Sequence, residues 1–157
     1  MTPEETESAV RGKLRRTATM HAADVGIGAM HFCLDVSGGA RFPGSAVAAY
    51  FSSTAGLSGV AVDARWGPQV ALAGIPLVGR TPSLLAAQFI GYLTTLDHQI
   101  RYSGEGEPCS PDLGVGLRVQ RAGDVVISRP IMVAEVWTDR CWDGHEGHLP
   151  KEEWCTF

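Results

Sequence analysis

The strongest constraint on the fold is the stretch from Leu113 to Trp137, which combines the clearest strand pattern of the chain with its most apolar run. Its first half alternates with the period of two that a strand with one buried face shows. Leu113, Val115, Leu117 and Val119 alternate with Gly114, Gly116, Arg118 and Gln120. Residues 121–124 then supply turn chemistry, because Gly123 can adopt a positive φ. The stretch predicts a long antiparallel hairpin near the centre of a sheet, with Leu117 facing the core and Arg118 facing solvent.

A first strand and a first helix are predicted upstream of this hairpin. Residues 28–36 alternate as a strand does, and a Pro-Gly-Ser sequence at 43–45 marks the entry to a helix. Within that predicted helix Val47, Tyr50, Phe51 and Thr54 recur at helical spacing, and Gly56 follows where a helix C-terminal glycine is expected. The pattern therefore predicts a helix that ends near Ala55.

Three strands and a second helix are predicted between residues 58 and 102. Residues 58–64 and 68–75 are short alternating runs that predict a hairpin with Trp66 at its tip, and residues 98–102 predict another strand. Thr81-Pro82 is the strongest helix start of the chain, with a hydroxyl N-cap and proline at the first helical position. The apolar face that follows predicts a helix to about Leu96.

The predicted order from residue 28 to residue 102 is strand, helix, strand, strand, helix, strand. This order defines an α+β fold with a single antiparallel-rich sheet, two helices on one face and a ferredoxin-like β-α-β-β-α-β core. The C-terminal hairpin would extend that core, with Pro130 placing its last strand at an edge or at a bulge. The alternative is another α+β sheet in which the long hairpin is central and the strands of residues 58–75 are peripheral.

The chain of 157 residues is long enough for one domain with a substantial core. Residues 1–27 show no strong apolar stripe and predict a flexible or weakly helical arm, and residues 28–137 form the predicted domain. Residues 138–157 lose the strand pattern and predict an irregular acidic tail that contains Trp, His and Cys.

The charge balance argues against nucleic acid as the main partner. The formal net charge is −4, whereas binding to phosphate backbones requires clustered Lys and Arg. No apolar run approaches the roughly 20 residues that span a bilayer, and the charged N-terminus differs from a signal peptide. We therefore expect a soluble cytoplasmic protein without membrane contact, in which the four cysteines are free thiols. The Ala, Gly, Val and Arg content with few Lys suggests a bacterial source.

A candidate metal site lies in the C-terminal tail. Two thiols and two imidazoles, the ligand types that zinc prefers, occur within fifteen residues. They are Cys141, His145, His148 and Cys155. Their spacing matches no usual zinc finger, and the two histidines are three residues apart with Gly147 between them, which excludes the helical His-Glu-x-x-His motif of metalloproteases. The prediction is therefore no resident cofactor, with zinc as the alternative.

Nucleophilic chemistry has weaker support in the sequence. Cys33, Cys109 and Ser83 are the nucleophiles that can be paired with a histidine, but none lies in a recognised nucleophile motif. Cys33 has the pattern of a core residue. Cys109 is predicted to lie in an acidic loop, where negative neighbours make a thiol less reactive.

A binding surface is better supported, because three of the four tryptophans lie in the last 21 residues among acidic side chains. Tryptophan is over-represented among interface anchors, and acidic rims steer a basic partner. The predicted contact residues are Trp137, Asp139, Trp142, Asp143, Glu152, Glu153 and Trp154.

The sequence thus predicts a small non-enzymatic binding protein whose partner is a protein with a basic patch, such as a toxin neutralised by an immunity-like protein or the target of a regulatory subunit. A homodimer through the edge of the C-terminal hairpin is a further option. Two other functions remain open. One is a metal-assisted enzyme that uses the C-terminal His/Cys cluster, and the other is a small-ligand-binding protein or enzyme with a pocket between sheet and helices.

Overall fold

The computed structural model describes residues 1–22, 27–34, 45–53 and 56–135. In chain order the elements are α1 (Pro3–Val10), β1 (Leu14–Ala22), β2 (Ile27–Leu34), β3 (Val47–Ser52), β4 (Gly56–Val62), β5 (Ala71–Leu72), β6 (Ile75–Pro76), α2 (Pro82–Thr95), β7 (Arg101–Tyr102), β8 (Pro108–Ser110), β9 (Val115–Ala122) and β10 (Val125–Val133). Eight strands form one sheet in the order β1-β2-β3-β4-β10-β9-β8-β7, and β5 pairs with β6 separately. The mixed α+β class with a large antiparallel sheet and two helices is therefore confirmed for the described residues.

The predicted C-terminal hairpin is confirmed as β9 and β10. The two strands pair from Val115 and Met132 at the open end to Ala122 and Val125 at the turn. Gly123 in this turn has a φ of 69°, a conformation that glycine adopts without steric cost. The hairpin lies inside the sheet, between β4 and β8.

Strand β10 has different neighbours in its two halves. Its last three residues, 131–133, pair with β4. In its first half, the backbone of Ser128 forms two hydrogen bonds with the loop before α2. Gly79 N donates to Ser128 O at 2.8 Å, and Ser128 N donates to Arg80 O at 2.9 Å. Pro130 stands just before the residues paired with β4, where its missing N–H removes no bond of that ladder.

The predicted first helix is wrong, because residues 47–52 form strand β3. All six of its residues are buried. Val47, Ala49 and Phe51 belong to one apolar cluster, whereas Ala48 and Tyr50 belong to another. A strand that is buried on both faces has apolar residues at every position, and a short run of this kind also satisfies helical spacing.

The ferredoxin-like topology is not confirmed, since the sheet has eight strands in the order given above. Two local differences contribute to this. Residues 47–52 add a strand where a helix was predicted, and residues 68–75 do not return beside β4, because their short strand β5 pairs with β6. Strand β4 instead pairs with β3 on one side and β10 on the other.

Helix α2 begins and ends close to the predicted residues and covers the hairpin, but the Thr81 hydroxyl makes no capping hydrogen bond. Leu85, Phe89 and Leu93 recur every four residues and are buried on one stripe. They form one cluster with Leu77 from the preceding loop and Leu117 of β9. The predicted core position of Leu117 is therefore confirmed.

Residues 1–27, predicted as an arm, contain α1 and β1. Helix α1 begins with a capping box, in which the Thr2 side chain accepts from Glu5 N and the Glu5 side chain accepts from Thr2 N. Strand β1 pairs along its length with β2 at one end of the sheet. Neither of the helices in the described part of the chain has the length and apolar character that crossing a bilayer requires.

Candidate functional site

The site residues predicted from the sequence lie outside the described residues. These are the metal candidates Cys141, His145, His148 and Cys155, and the contact candidates Trp137, Asp139, Trp142, Asp143, Glu152, Glu153 and Trp154. Both sites stay predictions. Across the residues that the structure does describe, no group of three or more His, Cys, Asp or Glu side chains is arranged to hold a metal ion.

A polar cleft of about 500 Å³ lies where the chain leaves the sheet after β10. Asp112 and Glu135 contribute its carboxylates, and Gln99 lines it as well. The end of β10 is held in place by two backbone hydrogen bonds: Val133 N donates to Gly114 O at 2.8 Å, and Ala134 N donates to Ser58 O at 2.9 Å. We call this site the acidic cleft.

Asp112 is oriented by the segment that follows α2. Its Oδ2 atom accepts a hydrogen bond from Gln99 N at 2.6 Å and lies 3.2 Å from His98 Nδ1. Glu135, the last described residue, is exposed. The cleft therefore combines one carboxylate that is fixed by backbone with one that faces solvent, an arrangement suited to a cationic group.

A buried ion pair joins β9 of the hairpin to the residue directly before β8. Arg118, predicted to face solvent, is only 2% exposed, so that prediction is wrong. Its Nε atom lies 3.6 Å from Oε2 of Glu107, whose side chain is 10% exposed. Arg118 also donates from Nη1 to Leu117 O. The guanidinium is thus enclosed with a counter-charge, as a buried charge requires.

Glu107 also extends the pairing with β9, directly before β8 begins. Cys109 of β8 pairs with Gly116, so the same register places Glu107 opposite Arg118. At this position a side chain replaces the backbone as the hydrogen-bond acceptor for β9, because Glu107 Oε1 accepts from Val119 N at 3.0 Å. Ser103 fixes the turn before β8, because its Oγ accepts from Glu107 N at 3.2 Å.

The sequence contains one local signal for the buried arginine. Gly116 precedes Arg118 by two residues and therefore lies on the same face of β9. A Cβ on Gly116 would approach Ile131 Cγ2 to 3.2 Å and Arg118 Nη1 to 3.5 Å. The absence of a side chain at Gly116 therefore leaves room for the Arg118 side chain.

An apolar cavity lies between α2 and the hairpin, with a volume of about 180 Å³. Leu85 and Ala86 of α2 form one wall, and Leu117 and Val119 of β9 form the other. The chain segment around Glu107 closes one end. We call this site the α2 cavity.

The two cysteines of the described residues are buried in strands. Cys33 is 4% exposed in β2 and Cys109 is fully buried in β8. Cys109 belongs to an apolar cluster with Tyr50 and Ile131, so its predicted position in an acidic loop is wrong. The His98 imidazole contacts Asp112. Burial of this kind makes both thiols poor nucleophiles.

Comparisons of the chain with protein families, with characterised proteins and with solved structures found no match.

The metal prediction can be tested directly by elemental analysis. We expect the whole chain, purified without a metal-binding tag, to contain well under one equivalent of zinc, iron or copper, because the Cys141 to Cys155 spacing fits no usual zinc site. A stoichiometric metal that is lost in the double variant His145→Ala, His148→Ala would contradict this expectation and would support the metal-assisted alternative.

Proposed function

We propose that this protein acts by binding another protein that presents a basic patch, as an immunity-like or regulatory protein does. The observation that carries this proposal is the distribution of charge. The described residues contain ten acidic and ten basic side chains, so they carry no net charge. Residues 138–157 contain five acidic and two basic residues, and most of the formal net charge of −4 lies there.

The acidic cleft supports the same class of partner. Glu135 is the last described residue and stands immediately before the Trp-rich acidic segment. Asp112 and Glu135 therefore add negative potential at the point where that segment begins. Several neighbouring charges of the same sign raise the association rate of a partner with the opposite charge.

The tryptophans give this surface a second property. Trp137, Trp142 and Trp154 are large side chains of the type that anchors interfaces, and the acidic residues lie between them along the chain. We propose that the charges govern the encounter and that one or more of the rings, once desolvated, govern how long the complex lasts.

The experiment is affinity capture from a lysate of the source cells, followed by identification of the retained protein by mass spectrometry. We expect a basic protein that is retained at about 0.1 M salt and released near 1 M, where the Debye length falls from about 10 to about 3 Å. Deletion of residues 138–157 should abolish capture. Equal capture by the truncated chain, or a captured protein without a basic patch, would refute the proposal.

Matched variants separate charge from folding. Glu135→Lys in the acidic cleft should slow association several-fold, whereas Glu105→Lys in the exposed turn before β8 should leave it unchanged. The truncated chain should melt within a few degrees of the whole chain, since β10 ends at Val133. A melting temperature that is tens of degrees lower would mean that the tryptophans belong to the core.

A further inference from the structure

The α2 cavity has a size that restricts what it can hold. Pockets for drug-sized ligands have volumes of about 300–1,000 Å³, whereas this cavity has about 180 Å³. An apolar cavity of about 150 Å³ in another protein stays dry and binds benzene. The α2 cavity therefore has room for a single six-membered ring.

The walls of the cavity restrict the chemistry as well. Leu85, Ala86, Leu117 and Val119 present apolar surface to it. The two charged residues in the wall, Glu107 and Arg118, lie 3.6 Å apart and compensate each other.

Two polar side chains of the wall, Glu107 and Ser128, are hydrogen-bonded within the protein. Glu107 accepts from Val119 N at 3.0 Å. Ser128 Oγ donates to Leu77 O at 2.8 Å and accepts from Arg80 N at 2.9 Å. A charged ligand would have to compete with these contacts and would lose its hydration without a counter-charge of its own.

We propose that the α2 cavity is a binding site for a small neutral ring compound, independent of the protein partner proposed above. The apolar walls shield part of the ring from water, and the compensated ion pair makes the site selective for a ligand without charge. The position between α2 and β9 is typical of ligand sites, which form in clefts between packed elements.

The probe is phenol, followed by the methyl resonances of Leu85, Ala86 and Leu117 in the whole chain and by thermal melting. Phenol at about ten times its dissociation constant should raise the melting temperature by about 3–6 °C. Benzoate and benzylammonium should bind at least tenfold more weakly, and glycerol should shift none of these methyl resonances. Tighter binding of either ion than of phenol, or no methyl shift with phenol at about 10 mM, would overturn the proposal.

Two variants locate the site. Ala86→Phe places a ring in the cavity and should weaken phenol binding at least tenfold, whereas Ala87→Phe, on the exposed side of the same helix, should leave it unchanged. Val119→Ala enlarges the cavity and should shift the preference from phenol to a larger neutral ring such as naphthol. If Ala86→Phe remains folded and binds phenol as the natural chain does, the ring binds elsewhere and the assignment fails. If Ala86→Phe does not fold, unchanged ring preference in Val119→Ala overturns it instead.

Discussion

Replacement of Arg118 by methionine is expected to lower the free energy of unfolding by about 3–5 kcal/mol, because the buried carboxylate of Glu107 would lose its counter-charge. Arg118 is 2% exposed and its Nε atom lies 3.6 Å from Glu107 Oε2. Methionine has a similar length and fills most of the space, so the loss would report on the charge more than on packing. For a chain of this size the melting temperature should fall by about 6–20 °C.

A double-mutant cycle would separate the ion pair from the rest of the network. Glu107→Gln removes the charge and keeps an oxygen that can accept from Val119 N. The double variant Arg118→Met, Glu107→Gln should therefore be more stable than Arg118→Met alone, since no uncompensated charge is left buried. Urea unfolding followed by circular dichroism would measure the free energies of unfolding of the natural chain and the three variants.

The matched control lies three residues further along the same strand. Arg121 of β9 is exposed, and Arg121→Met should change the free energy of unfolding by no more than about 0.5 kcal/mol. Equal losses for Arg118→Met and Arg121→Met would contradict the buried position of Arg118. No recovery in the double variant would mean that Arg118 acts through packing alone.

The second large effect is expected at the centre of the contact between α2 and the hairpin. Phe89 is completely buried and shares a cluster with Leu85, Leu93 and Leu117. Phe89→Ala removes a ring from this cluster and leaves a cavity, which should cost about 3–5 kcal/mol. The loss should appear as a lower urea midpoint with little change in slope.

Leu84 provides the control on the same helix, because its side chain is 67% exposed. Leu84→Ala should change the free energy of unfolding by less than about 0.5 kcal/mol. If the two variants are equally unstable, the face of α2 that meets the sheet has been assigned incorrectly. A stable Phe89→Ala variant would mean that α2 contributes little to the core.

Several elements could be predicted from the sequence because their signals are local. Gly123 between two apolar runs indicates the turn of the β9 to β10 hairpin, and Pro82 after Thr81 indicates the start of α2. The apolar residues of α2 predict a broad buried face, of which Leu85, Phe89 and Leu93 are buried whereas Leu84 and Leu96 are exposed. Each signal depends on residues within one turn of helix or one pair of strands, where steric preferences of the backbone decide the outcome.

Residues 47–52 show where local signals fail. Their apolar residues fit helical spacing as well as a strand that is buried on both faces, and the choice depends on whether neighbours cover both faces. In the structure β2 and β4 pair with this segment on either side, and two apolar clusters cover its faces. The strand is therefore stabilised by partners that lie elsewhere in the chain.

Arg118 is a second example, since its place in an alternating strand predicts exposure. The position can hold a charge only because Glu107, eleven residues earlier and directly before β8, reaches the same point of the sheet. The α2 cavity arises in the same way, from residues of α2, the β8 region and the hairpin. No short window of sequence contains both halves of either feature.

The sequence by itself determined the hairpin, helix α2, the α+β class and the unequal distribution of charge, because each follows from neighbouring residues or from composition. Only the tertiary structure decided the strand order, the extended form of β3, the buried ion pair, the acidic cleft and the α2 cavity. The physical reason is that burial and ion pairing depend on contacts between residues distant in the chain, whereas turns and helix starts depend on the backbone preferences of a few adjacent residues.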